Sequence, residues 1–482
     1  MNFEEIKPNK NFIGREYELH QLDEIKQVDE ASIIIVYGRR RVGKTELLEQ
    51  AFRDRHLFKF EGIEGKTQAE QRRYVLKKLA DYVGEPLIAK VKSDTWLDVF
   101  EAISLYIKEG ECTLYFEELQ WLADYQKDFI TELKHAWDNE WRHNPKLILI
   151  LCGSSPSFMI NQVVHSKALY NRSQYEMALK PFSLAETAEY LSKRSEREIM
   201  DAYLTIGGIP EYLKRIKKKS STFLGLCDNA FRENSFFSSE YERIFISSLA
   251  NNIHYKKIVD FLSKRRFATR NEIAKYLKLN RGGSLTRLLE DLEECRFIQK
   301  YTPFNLHDDS KLARYCVSDA YLQFYFKFIK PIKKRIDQGD YNQNPASALN
   351  METYFKWLGF AFERFCRNNS AIIAKILGFQ GIQYKAGAFF NRNADEALPG
   401  YQIDLAFDRA DNVYTICEIK YLQTKVSLKV IEEMEKKLSL FPSKGKTIQK
   451  VLITSEGAQE NLINRAYFDK IITLKDLFSH HA

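Results

Sequence analysis

No stretch of the 482 residues approaches the ~18 consecutive apolar positions of a membrane-spanning helix, so no membrane partner is expected. Cysteine is sparse. Cys112, Cys152, Cys227, Cys295, Cys316, Cys366 and Cys417 lie scattered, mostly among apolar neighbours, with no Cys-x-x-Cys pair. They read as reduced, buried thiols of a cytoplasmic protein. The first residues, Met-Asn-Phe-Glu-Glu-Ile-Lys, lack the basic and apolar regions of a signal peptide. A strong charge of one sign is also missing. The 73 Lys and Arg against 65 Asp and Glu leave +8, which permits a nucleic-acid partner without demanding one. With 44% hydrophobic and 29% charged residues, wholesale disorder is excluded. The length is too great for one core and argues for about three domains.

What is present starts at Gly38-Arg39-Arg40-Arg41-Val42-Gly43-Lys44-Thr45, a Gly-x4-Gly-Lys-Thr phosphate-binding pattern. The preceding run, Ser32-Ile-Ile-Ile-Val-Tyr37, reads as a fully buried strand. Thr45, Glu46 and the residues after them read as an amphipathic helix. Strand, glycine loop and helix are the context this motif needs. The loop's backbone wraps phosphate oxygens, and the helix N-terminus adds N–H groups and a positive dipole end. Lys44 then reaches the β- and γ-phosphates of ATP, and Thr45 binds Mg²⁺.

Two more strands complete such a site. Thr113-Leu-Tyr-Phe-Glu117-Glu118 ends in two carboxylates, one for the metal's shell (Glu117) and one to orient or deprotonate water (Glu118). Leu147-Ile-Leu-Ile-Leu-Cys-Gly-Ser154 ends in a hydroxyl placed to sense the γ-phosphate; the same Gly-Ser-Ser is ordinary turn chemistry. Arg172 reads either as an arginine finger or as a surface arginine. Together, Phe12-Ile-Gly14-Arg15-Glu16, the phosphate loop, the Gly-Ser-Ser strand, Asn171-Arg172, Pro181-Phe182 and Gly207-Gly208-Ile-Pro210-Glu-Tyr212 resemble the archaeal-type AAA+-related P-loop ATPases. The resemblance implies a parallel-sheet ATPase core over 1–182 and a helical lid over 183–250. It also places Gly14 and Arg15 near the adenine. Glu117 stands where that family usually has Asp.

Residues 255–264 and 269–277 read as helices, the second capped by Thr269. Ser284 is expected to cap a third helix carrying Leu285, Leu288, Leu289 and Leu292. Segments 298–301 and 314–317 are expected to form a wing, giving a winged helix-turn-helix over 251–318. Glu290, Asp291, Glu293 and Glu294 would make the third helix's solvent face acidic and repel phosphates, so packing within the protein is favoured over DNA reading. An aromatic helix and a linker follow over 319–347.

In 348–482 three carboxylates and a lysine recur in order: Glu363 in a helical pattern, Asp404 on a strand, and Glu418 and Lys420 two residues apart on another. A strand's two-residue period puts the last pair on one face. Paired carboxylates bind hard divalent cations, and a lysine orients water or neutralises charge. The set is similar to the PD-(D/E)xK nuclease superfamily, which implies a restriction-endonuclease-like α/β domain with Asp404, Glu418 and Lys420 at its site and Glu363 completing it. Mg²⁺, or Mn²⁺ in its place, would be the metal, held by Asp404 and Glu418. Ile403 stands where the superfamily's name-giving proline would be. The expectation is a multidomain α/β, ATP-hydrolysing protein acting on DNA through a metal-dependent nuclease, in defence or mobile-element biology. It would work with a protein partner or as a homo-oligomer. The alternative is a nucleotide-switched binding or signalling protein with an inert nuclease fold.

Overall fold

The structure, a computed structural model, describes residues 7–167, 169, 173–249, 252–279, 283–301, 304, 313–391, 401–443 and 445–480. The chain divides into two compact units. One comprises residues 1–181, 242–255 and 286–295; the other comprises 182–241, 256–285 and 296–482.

The first unit is built on five strands: β1 (Ser32–Tyr37), β2 (His56–Glu61), β3 (Cys112–Glu117), β4 (Ile148–Gly153) and β5 (Ser173–Ala178). They lie in the order β2-β3-β4-β1-β5, every neighbouring pair parallel. All of β3 and β4 is buried, as are the first five residues of β1, which is why these strands are apolar on both faces rather than alternating. Rings fill the core beside them: Phe60 stacks on Phe116 at 5.7 Å, and Phe129 meets Phe116, Phe100 and Trp96 edge-on. Each such ring contributes about 1.5–3 kcal/mol by burial.

The acidic helix of the middle segment departs from expectation. It runs Gly283–Glu294, so Ser284 lies in its first turn rather than at its cap. Residues 286–295 belong to the first unit. Asp291 there is 3% exposed and accepts hydrogen bonds from Tyr255 Oη and Ser157 Oγ. The acids therefore do not all face solvent: two hydroxyl donors offset the cost of burying Asp291.

The second unit opens with four helices, Leu184–Tyr190, Glu196–Ile206, Pro210–Ile216 and Thr222–Phe231. Gly207 ends the second at φ 70°, and Pro210 opens the third. Gly208 is required by close approach, since a Cβ there would sit 2.0 Å from the Phe182 carbonyl oxygen. The aromatic segment after 319 is core: Tyr321 packs against Tyr212 and Phe237, and its hydroxyl donates to the Phe237 carbonyl at 2.6 Å.

Thr269 caps the helix Arg270–Leu277 through a reciprocal capping box with Glu272. Strands β6 (Ala268–Thr269), β7 (Ile298–Tyr301) and β8 (Arg314–Val317) form an antiparallel sheet in the order β6-β8-β7. The last sheet holds β9 (Tyr384–Asn391), β10 (Tyr401–Arg409), β11 (Val413–Lys420), β12 (Thr447–Thr454) and β13 (Lys470–Ile472) in sequential order. The first three form an antiparallel meander, and β11, β12 and β13 run parallel. The helix Met351–Asn368 packs on β9, β10 and β11.

Candidate functional site

The phosphate loop joins β1 to the helix Lys44–Phe52, with Gly43 at the helix's N-cap. Gly38 cannot be replaced without movement: a Cβ there would lie 2.3 Å from the Leu179 carbonyl oxygen. Arg41 is held in the left-handed region at φ 73°. Lys44 is buried, and its ammonium donates to the carbonyls of Gly38 at 2.9 Å and Arg39 at 3.3 Å, so it is curled inside its own loop. Arg39 and Val42 are buried; Glu46 is exposed and accepts from Asn9 at 2.6 Å.

Thr45 Oγ1 donates to Glu117 Oε1, which also accepts from Tyr115 Oη at 2.9 Å. Lys59 binds the other oxygen of Glu117 at 2.7 Å. Burial pulls Lys59 downward, but Glu117 and Glu49 outweigh it and hold the ammonium above its ordinary range. The extra methylene of Glu117 thus still lets it reach the loop threonine. A hydroxyl and a carboxylate already in contact fit the shell of a nucleotide-bound Mg²⁺, the neighbouring ammonium limiting the charge they carry.

Glu118 follows at φ 51°, a left-handed conformation that turns its side chain away from the strand's alternation. Its Oε2 accepts from Ser154 Oγ and, at 2.7 Å, from Gln120 Nε2. Gln120 Nε2 lies 3.1 Å from Ser154 Oγ as well. The end of β4 and the turn after β3 therefore form one polar cluster around the carboxylate expected to handle water. Gln120, Lys59 and Tyr115 belong to no motif, and sequence reasoning misses them. The register that pairs Lys59 with Tyr115 across β2 and β3 comes from strand order.

Gly14 and Arg15 both have positive φ, 65° and 64°. The Arg15 guanidinium is buried and donates to the carbonyls of Val42 at 3.0 Å and Lys180 at 2.8 Å. It braces the phosphate loop from behind. Asn171 and Arg172 lie outside the described residues.

In the second unit, the structure brings Asp404 of β10 and Glu418 of β11 together. Asp404 is 8% and Glu418 1% exposed. Asp404 Oδ2 accepts from the Ile419 amide at 3.3 Å. Burial, then the Glu418 and Glu363 carboxylates, push Asp404 well above its ordinary range. Lys420 binds Glu418 Oε1 at 3.0 Å, as the shared strand face requires, and also Glu433 at 2.6 Å. Lys437, from the helix Lys429–Ser439, binds Glu418 Oε2 at 2.6 Å.

Glu363 approaches from the helix Met351–Asn368 and pairs with Arg367 at 3.6 Å. Burial raises it, with Arg367 pulling the other way. Among the described residues no group of three or more His, Cys, Asp or Glu closes to metal-holding geometry. Asp404 and Glu418 meet as a pair, balanced by lysines, and Glu363 acts on Asp404 through its charge without completing a three-acid group among the described residues. Lys437 has no signal in the sequence beyond a basic position on a helix.

Residues 12–216 match the model of an ATPase domain predominantly from Archaea. The chain is 28% identical to the uncharacterized protein MJECL04 of Methanocaldococcus jannaschii over 416 residues, covering 86% of this chain and 88% of that one. Among solved structures, the Walker-type ATPase PABY2304 of Pyrococcus abyssi aligns with 68% of this chain and 99% of its own, at 18% identity and a TM-score of 0.47. The ORC2 protein of Aeropyrum pernix aligns with 70% and 98%, at 12% identity and a TM-score of 0.41. No described helix is long and apolar enough to cross a membrane. The phosphate loop, Glu117, Glu118 and Ser154 lie at the ends of one parallel sheet, within the stretch of residues 12–216 that is similar to that ATPase domain.

Proposed function

We propose that this protein hydrolyses ATP in its first unit and uses the nucleotide cycle to license metal-dependent cleavage of DNA in its second. The observation that supports the second half of this reading is the Asp404–Glu418 pair on adjacent strands, with Lys420 bonded to Glu418. A buried Asp404 whose proton affinity is raised by burial and by the neighbouring Glu418 carboxylate favours a cation between the two. In the ATPase unit Thr45 and Glu117 would hold Mg²⁺, which would supply charge neutralisation at the phosphates. Lys44 would exchange loop carbonyls for β- and γ-phosphate oxygens. Glu118 would orient or accept a proton from water, with Ser154 and Gln120 fixing its carboxylate.

In the second unit, Asp404 and Glu418 would hold the metal, and Lys420 would orient water or offset charge at the phosphodiester. The helices and sheet of residues 251–318 are read as a winged helix whose third helix packs within the protein rather than in a DNA groove. Asp291 on that helix is an internal acceptor of two hydroxyls, which supports the packing role.

A second reading is an inert nuclease fold on a nucleotide switch. Both oxygens of Glu418 already carry a lysine, and this favours it. Purified full-length protein incubated with linear, circular and branched DNA, with ATP and Mg²⁺ or Mn²⁺, separates the two. Cleavage that Asp404→Ala removes supports the enzyme. Normal ATP turnover with intact DNA under every metal supports the switch.

A further inference from the structure

Beside the carboxylate pair lies a cluster of guanidiniums that neither the ATPase nor the metal site uses. Arg364 and Arg367 project from the helix Met351–Asn368, and Arg266 comes from the segment just before β6. Arg367 donates to the Asp404 carbonyl at 3.2 Å and pairs with Glu363 at 3.6 Å. Arg266 donates to Gln402 Oε1 at 2.8 Å, and Gln402 Nε2 donates to Asp404 Oδ1 at 3.3 Å. The cluster is thereby tied to the backbone and side chain of Asp404 from two directions.

Arg364 is the telling member. It is half-buried, yet it has no hydrogen bond and no ion pair within 4 Å among the described residues. Burial, then Arg367, pull it down to about 10, with Cys316 and Glu363 opposing and Arg266 adding a smaller push. A guanidinium partly withdrawn from water, crowded by two others and lacking a carboxylate of its own, is unfavourable unless an anion joins it. Planar forks suit phosphate oxygens bidentately.

We propose that Arg266, Arg364 and Arg367 form a seat for the phosphate backbone of a nucleic acid beside Asp404. This rests on the nuclease-site reading for the identity of the polymer, but the seat itself would bind phosphodiesters whether or not cleavage follows. Because the contacts are to phosphate, they position the strand without reading its sequence.

The test uses full-length protein and fluorescein-labelled duplex and single-stranded DNA, with EDTA present so that binding is read without cleavage. Anisotropy titrations across a salt series compare wild type with Arg266→Gln, Arg364→Gln, Arg364→Lys and the Gln double variant. Each Gln change should weaken binding roughly tenfold, equally for unrelated sequences, and reduce the salt slope by about 1. Arg364→Lys should keep the slope while losing part of the affinity. Arg266 is exposed, so its variant reports even where Arg364→Gln fails to fold. Wild type that binds no DNA, or Arg266→Gln with unchanged affinity and slope, overturns the seat. Salt-sensitive binding that weakens in the Gln variants, without metal-dependent cleavage, upholds it while sinking the nuclease reading, and cleavage indifferent to these arginines does the reverse.

Discussion

At the scale of single residues, the nucleotide site is held together by its own polar groups. Lys44 donates to two carbonyls of the loop it serves, so its ammonium is already positioned where phosphates would sit. Lys44→Ala should weaken ATP binding roughly 10- to 100-fold, the range expected for losing charge-assisted hydrogen bonds. Isothermal titration with ATP and Mg²⁺ measures this, and unaltered affinity would remove the lysine from the site. Glu118 is a different case. Ser154 and Gln120 donate to its carboxylate, and a carboxamide of the same shape can still accept there but cannot take a proton. Glu118→Gln should therefore keep ATP affinity while turnover falls at least about 100-fold. A glutamine variant turning over at the wild-type rate would show that another group handles the water.

At the scale of elements, the strands and motifs are legible where apolar runs meet special residues. The run Ser32–Tyr37 and the loop after it are placed as their pattern requires, and the strands Ile298–Tyr301 and Arg314–Val317 fall where their pattern puts them. The acids of the helix Gly283–Glu294 depart from their pattern because charge alone says nothing about the hydroxyls that will meet it. Ser157 and Tyr255 lie 134 and 36 residues from Asp291 in sequence. The same helix carries a pH-dependent cost. Glu294 is half-buried with one oxygen lacking a hydrogen-bond partner, and burial, then Asp291 and Glu290, raise it to about 7. The folded chain holds a proton there that the unfolded chain releases near pH 4.5. The cost is thus absent below that value, grows as pH rises through 7, and is complete above it. Glu294→Gln should raise Tm at about pH 8 and change it little at about pH 4. An equal shift at both values would mean that the carboxylate's charge is not what the packing opposes.

For the whole molecule, the sequence order of Glu363, Asp404, Glu418 and Lys420 foretells the meeting of the strand residues, but not the balance around them. Lys437 and the three arginines come from helices and a loop whose approach depends on tertiary packing, so no spacing rule exposes them. That balance gives the two halves of the protein separable behaviour. Asp404 lies in the second unit, and the phosphate loop lies in the first. Asp404→Ala should leave the ATP dissociation constant within about twofold of wild type while abolishing any metal-dependent DNA cleavage. Lys437→Ala should act in the opposite direction on the metal. Removing the ammonium from Glu418 Oε2 leaves a buried charge with one lysine instead of two, which raises the demand for a cation. Divalent-cation affinity, followed by calorimetry with Mn²⁺ in the absence of ATP so that the nucleotide site contributes least, should increase several-fold. Loss of Mn²⁺ binding in the Lys437 variant, with its fold intact by circular dichroism, would show that the lysine supports the acid pair rather than competing for it, and would favour the inert switch.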